Sequence, residues 1–408
     1  MTNKKTIADV DVSGKRVLMR VDFNVPLDKQ TGQITDDRRI QQALPTIRSV
    51  LDRGGRLILM SHLGRPDGKP DPKASLGPCA KHLGDLLGKQ VAMLADCVGD
   101  PVRQAVGAMK DGDCCMLENL RFHVAEVIKD KQTDKVAAKR AFAQQLADLA
   151  DVYVNDAFGT CHRDNASMLT VPQLMEGKPR VIGFLIQKEL EFLGKAMENP
   201  ARPFVALLGG AKVSDKLGVI RRLLQICDRV LIGGAMAYTF FAAAGRNVGK
   251  SLCEHDRIDD ARGLSEEAGE KLLLPLDTVV VREIKPGAAN EVVEDGLIPP
   301  DAMGVDIGPQ TVEAYRKEIL AARTIVWNGP MGVFEMKPFD VGTMGVCQAV
   351  GEATAAGAVS IIGGGDSSAA VSAAGLEDRM SHISTGGGAS LEFLEGRPFK
   401  PLEIIDAV

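Results

Sequence analysis

Short apolar runs punctuate the chain: KRVLMRVDF, RLILMSH, QVAML, CCMLEN and DVYVND early on, then FVALLGG, RVLIGG, DTVVV, TIVWNGP and AVSIIGGG. Closed by polar or glycine residues, runs of this kind predict buried strands. Between most of them lie stretches with apolar residues at helical spacing, such as RRIQQALPTIRSVLDRGG and KVAAKRAFAQQLADLA. Strand alternating with helix argues for parallel sheets of the α/β class. In open sheets of that class ligands sit beyond the carboxyl ends of the strands, so function is sought there.

The residues at those ends change character near residue 185. Before it they are charged or imidazole-bearing (RVDFN, SHLGR, ENLRFH, NDAFGTCHR); after it they are glycine-rich (LLGGAK, IGGAM, WNGPMG, GGGDSS, STGGGAS). A chain of 408 residues exceeds the size at which one core stops growing, so two domains are expected. The join falls in FLIQKELEFLGKAMENPARPF, read as one amphipathic helix beginning near Gln187 and stopped by Asn-Pro.

Composition narrows the partners. Net charge is −5, which provides no global basic field for nucleic acid or acidic lipid, so any anion site must be local. The N-terminus lacks the apolar stretch of a signal peptide and no membrane-length apolar run occurs, so a cytoplasmic protein is expected. Eight cysteines are irregularly spaced, form no CxxC pair and are read as reduced structural thiols.

In the first half Arg39, His62, Arg65, Arg121, His162 and Arg163 all fall at strand ends or helix starts. Guanidinium groups gathered this way suit a small, multiply charged anion, because each binds carboxylate or phosphate in bidentate fashion. Asp22 and Asn24 could accept from a substrate hydroxyl or cap their turn. For His123 and His162, with no carboxylate or second histidine at ligand spacing, anion binding or packing is favoured over a metal.

In the second half LLGGAKVSDK again reads as strand, glycines and helix, with Lys212 and Lys216 spaced to share one helical face. The GxxxxGK[ST] spacing is absent. Asn328 and Glu335, in WNGPMGVFE, could bind ribose hydroxyls or shape the loop. IIGGGDSSAA has the form of an anion cradle, a glycine turn opening a helix whose free N–H groups favour phosphate. Asp366 stands inside it, either to hold a Mg²⁺ ion travelling with nucleotide phosphates or as the helix N-cap.

RVDFNVP, SHLGRP, ENLRFH, NDAFGTCHR, LGGAKVSDK, WNGPMGVFE, GGGDSS and STGGGASLE, in this order and at these separations, resemble the phosphoglycerate kinase family across essentially the whole chain. The resemblance implies two doubly wound, parallel-sheet (Rossmann-like) α/β domains facing a cleft. They would be residues 1–185, rejoined by a C-terminal segment of about 396–408, and 201–395, joined by a hinge helix over 186–200. It implies reversible phosphoryl transfer from 1,3-bisphosphoglycerate to ADP with Mg²⁺ by a monomer, without nucleic acid or membrane partners. Carried over by motif, Asp22, Phe23, Asn24, Arg39, His62, Leu63, Gly64, Arg65, Arg121 and Arg163 would hold phosphoglycerate. Arg39 is preferred to Arg38 because the family pattern continues with the RI dipeptide. Gly210, Lys212, Lys216, Asn328, Glu335, Gly364, Gly365, Asp366 and Ser367 would serve the nucleotide, with Asp366 on the metal. Arg39, Lys212, Gly386 and Gly387 would act on the transferring group. Three departures stand out: Asp164 and Asn165 follow Arg163 where the family has Ala-His, Ser367 replaces threonine, and Cys161 replaces alanine and raises the question of oxidation. A dinucleotide-dependent dehydrogenase is disfavoured by the lack of GxGxxG with a following acid. A non-catalytic phosphate sensor is disfavoured by intact Arg39, Lys212, Lys216 and Asp366.

Overall fold

The computed structural model describes residues 3–294 and 297–408. The chain packs as two compact units, one running to Glu191 and taking in Pro398–Val408, the other Phe192–Arg397.

The first unit is built on a six-stranded parallel sheet. Its strands are β1 (Arg16–Val21), β2 (Arg56–Met60), β3 (Ala92–Met93), β4 (Cys114–Met116), β5 (Val152–Asp156) and β6 (Arg180–Ile182). Their order across the sheet is β3-β4-β2-β1-β5-β6. β1 and β5 are buried almost throughout because helices cover both faces. The helix Arg38–Asp52 turns Ile40, Ala43, Ile47, Val50 and Leu51 inward, the spacing of a single buried stripe. The chain leaves β1 toward β2 and returns on its other side at β5, so the topological switch point lies between β1 and β5. Register aligns Arg20 with Met60 on one side and Asn155 on the other, which brings three strand ends level. The C-terminal segment is stitched to this unit where Arg180 pairs with Asp406 at 2.9 Å.

The second unit repeats the plan with β7 (Phe204–Leu208), β8 (Arg229–Ile232), β9 (Leu272–Leu273), β13 (Thr324–Asn328), β14 (Val359–Gly363) and β15 (His382–Ile383), in the order β15-β14-β13-β7-β8-β9. Its switch point lies between β7 and β13. DTVVV departs from the parallel expectation. As β10 (Asp277–Val281) it joins β11 (Asn290–Glu294) and β12 (Met303–Ile307) in a separate antiparallel sheet. β11 is mostly exposed and β12 is broken by Gly304 and Asp306, which hid them from a search for apolar runs.

The helical run expected from Gln187 starts earlier, at Phe184, and is not uniform. Phe184–Glu189 is α-helical, Leu190–Gly194 forms a wider π turn, and Lys195–Glu198 completes the run. Asp156, at the end of β5, receives the N–H groups of Leu185 (3.0 Å) and Ile186 (3.3 Å), which fixes the early start.

Candidate functional site

In the first unit the loops after β1, β2 and β4 lock together beside the switch point. Phe23 N donates to Ser61 Oγ (2.8 Å), Gly64 N to Asn24 Oδ1 (2.9 Å), and Asn119 Nδ2 to Leu63 O (2.7 Å). Asn24 is thus a loop tie. Phe23 and Leu63 are core residues whose side chains pack inward, which leaves only their backbone for a ligand.

Around that frame cations converge. Arg39 Nη1 donates to Asp22 Oδ2 at 2.8 Å, whereas Arg38 turns to Asp36 at 2.5 Å. Arg121, mostly buried, donates to Gly64 O at 2.7 Å. Burial, with Arg163 and Arg20 nearby, lowers the Arg121 guanidinium to about 10. Arg65, Arg121, Arg163 and Lys129 line a pocket of about 280 Å³. Burial works against the Asp22 carboxylate, but the Arg39 and Arg20 guanidiniums and the Asn24 N–H outweigh it and hold the carboxyl below its usual range.

The sequence reading missed Arg20, the largest buried cation. It lies fully inside β1, with Nε on Ser167 Oγ at 3.1 Å and Nη2 on His62 Nδ1 at 2.9 Å. A guanidinium only donates, so His62 Nδ1 accepts and the ring proton sits on Nε2. Burial drives His62 well below its ordinary value, which keeps it a neutral donor. Buried Glu126 takes Ser167 Oγ (2.6 Å) and Ser167 N (2.9 Å), linking a carboxylate to Arg20 through the serine. A lone charge inside an apolar strand, RVLMRV, was the available signal.

Two buried donors here lack a partner among the described residues, Arg121 Nε and His162 Nδ1. His162 Nε2 accepts from Arg163 at 3.1 Å, so Nδ1 carries the proton, while burial and Arg163 push the ring down to about 4. His123 corrects the spacing argument made from sequence. In space it does meet a carboxylate, Asp96 Oδ1 at 2.7 Å, and with Cys97 it forms the one cluster of three metal-ligating side chains among the described residues. Asp96 lies in the loop after β3, so sequence distance concealed it.

Cys161 is fully buried and its thiol is pushed far above the usual range by burial, which makes it unreactive and removes the oxidation concern. Of the eight cysteines only Cys253 is partly exposed.

In the second unit the loops after β7, β8 and β13 touch backbone to backbone. A Cβ on Gly209 would lie 1.9 Å from Pro330 O, and one on Gly234 (φ +65°) 2.4 Å from Gly210 N. Only glycine permits this approach. The loops, with Tyr238, Lys250, Val305, Glu335 and Asp366, wall a pocket of about 430 Å³. Tyr238, Lys250 and Val305 were not anticipated. The IGGAM turn that opens their side of the pocket was visible, but side chains from the antiparallel sheet were not.

Lys212 and Lys216 do not share a helical turn. The helix is Leu217–Ile226 and begins at Lys216 as its N-cap residue, whereas Lys212 lies exposed in the preceding loop. Lys216 is buried, donates to Asn328 O at 3.1 Å and also to Asn328 Oδ1, and is pulled down to about 8 by burial, partly offset by Asp366 and Asp215. Asn328 Nδ2, also buried, has no partner among the described residues. Asn328 is therefore a buried anchor for Lys216. Ser367 Oγ accepts the Gly329 N–H at 2.5 Å and ties the β13 and β14 loops beneath the surface.

Asp366 occupies the first turn of the helix Gly365–Ala373, whose N-cap is Gly364 (φ +92°) without a side-chain cap. The N-cap alternative is thereby corrected, and its carboxylate is exposed beside the glycine loop. One hard carboxylate next to phosphate-type amides is the donor set Mg²⁺ takes when phosphates supply the remaining oxygens, so the residues fit that ion. Gly386 and Gly387 lead into the short helix Gly388–Leu394.

Two doubly wound units, one with a guanidinium-lined pocket and the other with a glycine-walled pocket and an exposed carboxylate beside it, define an α/β protein of phosphate chemistry. The family profile described as phosphoglycerate kinase matches residues 7–397. A phosphoglycerate kinase of Rhodopirellula baltica is 54% identical over 406 residues, 99% of each chain. One of Chlorobaculum tepidum is 54% identical over 397 residues, 97% of each. The solved structure of phosphoglycerate kinase from Coxiella burnetii superposes with a TM-score of 0.86 at 38% identity, covering 98% of both chains. The chain belongs to the phosphoglycerate kinase family. It is a kinase of the glycolytic phosphoryl transfer between 1,3-bisphosphoglycerate and ADP.

Proposed function

We propose that transfer is direct and in line, with phosphoglycerate held by the first unit and nucleotide by the second. The observation that carries this reading is the pocket of Arg65, Arg121 and Arg163, beside the buried, unpartnered Arg121 Nε and, among the described residues, with no carboxylate paired to Arg121. That is a site prepared for an anion. Asp22 and Arg39, with Asn24, His62 and Gly64 around them, border the reacting end of phosphoglycerate, and the neutral His62 donates through Nε2. Lys212, Lys216, Glu335 and the amides of Gly210, Gly364 and Gly365 serve the nucleotide, over the frame set by Asn328 and Ser367. Asp366 would hold Mg²⁺, which would neutralise phosphate charge.

No general base is required. The nucleophile is a terminal oxygen of ADP in one direction and a carboxylate in the other, both already ionised at neutral pH. The residues' task is alignment of two anions and neutralisation of charge on the group in flight. Arg39, Lys212 and the amides at Gly386 and Gly387 are assigned that role. Because the two substrates belong to separate units, transfer needs domain closure, with 186–200 as the hinge, and closure would keep water from the acyl phosphate. The reading includes a cytoplasmic monomer. No helix among the described residues is long and apolar enough to cross a membrane.

Stereochemistry tests the in-line step. Transfer of an isotopically chiral phosphoryl group is expected to invert configuration at phosphorus. Retention would show a covalent phosphoenzyme and overturn the reading.

A further inference from the structure

The departure after Arg163 has a structural counterpart in the loop after ENLRFH. The geometry points to Lys129 as a further ligand for the substrate's phosphate, held in place by Asp164. This deepens the phosphoglycerate reading above and rests on it.

Lys129 lines the same pocket as Arg65, Arg121 and Arg163, with Asp67 the one carboxylate in that lining. It approaches from a different element than the arginines do. Arg65, Arg121 and Arg163 follow β2, β4 and β5, whereas Lys129 lies in the segment leading to the helix Val136–Ala147. That segment is pinned at three points: Ile128 is buried, Asp130 N donates to Asp164 Oδ2 at 2.9 Å, and the buried Lys139 bridges Asp130 Oδ1 (2.6 Å) and the Asp164 carbonyl. Lys129 Nζ itself lies 3.3 Å from Asp164 Oδ1.

An acid beside an anion site is expected to weaken it, unless its charge is taken up elsewhere. Here it is. Asp164 receives the Asp130 N–H and faces Lys129 and Lys139, so its charge is met on the side of this loop. Its neighbour Asn165 turns to buried Glu126 at 3.3 Å. The pair of residues that departs from the family pattern therefore braces the loop, and the loop delivers an additional ammonium to the pocket. Lys129 keeps a long, half-exposed side chain able to leave Asp164 for a dianion, since a phosphate offers it more charge than one carboxylate.

The test is steady-state kinetics with 3-phosphoglycerate and MgATP on the full chain and on Lys129→Met, Lys129→Arg and Asp164→Asn. Lys129→Met is expected to lower kcat/KM for 3-phosphoglycerate about fivefold to tenfold, mainly through KM, with KM for ATP moving less than about twofold. Inorganic phosphate should lose potency as a competitor of 3-phosphoglycerate by a similar factor. Lys129→Arg should restore most of the loss, and Asp164→Asn should raise the same KM about twofold to threefold, as expected of a positioning residue. An unchanged KM in Lys129→Met, or a lowered KM in Asp164→Asn, would overturn the assignment. A parent without turnover would instead sink the reading on which it rests.

Discussion

Lys216 shows how burial sets the working range of one side chain. Its ammonium lies under the loop after β13 and is lowered to about 8, chiefly by burial. A phosphate chain favours the charged form, so nucleotide affinity should be flat below about pH 8 and fall as pH rises above it, by up to about tenfold per unit. Lys216→Arg stays charged and should flatten that decline, as calorimetric titration with ADP at successive pH values would show. A pH-independent affinity in the parent would contradict the assignment. The sequence did place Lys216 beside a glycine loop, but it could not distinguish it from Lys212. The two differ in burial, and burial depends on Asn328, 112 residues away along the chain. Arg20 was overlooked for a related reason. Strand periodicity treats a charge inside RVLMRV as noise, and its partners Ser167 and His62 come from distant segments of the chain.

At the scale of elements, the glycine turns at strand ends were legible because a backbone that must meet another backbone leaves its mark as glycine. The antiparallel sheet and the exact start of the helical run were not. β11 presents mainly exposed residues, and the helix start is set by Asp156, a partner on β5. Gly183 sits at that junction, and a Cβ there would lie 2.2 Å from the Asp156 carboxyl carbon. Gly183→Ala is therefore expected to cost about 1–3 kcal/mol by overpacking, read as a lower urea midpoint for the unit containing β5. An unchanged midpoint would show that the junction yields more easily than its packing indicates.

For the whole molecule, strand alternation and the shift near residue 185 carried the α/β class and the segregation of charged from glycine-rich strand ends. Each set lies beside the switch point of its own parallel sheet. What the pattern could not supply was the set of contacts that decide which residues face a ligand. Phe23, Leu63, Asn328 and Ser367 match the family motifs, yet they serve as core, anchor or tie in this structure. The central claim is a division of labour, with the anion in one unit and the nucleotide in the other. It is tested most directly by ATP formation from 1,3-bisphosphoglycerate, ADP and Mg²⁺, together with ADP affinity, for the parent and Arg39→Ala. Turnover should fall at least ~100-fold in the variant while ADP affinity stays within about twofold. Parent-like turnover, or a loss of ADP binding as large as the loss of rate, would contradict it.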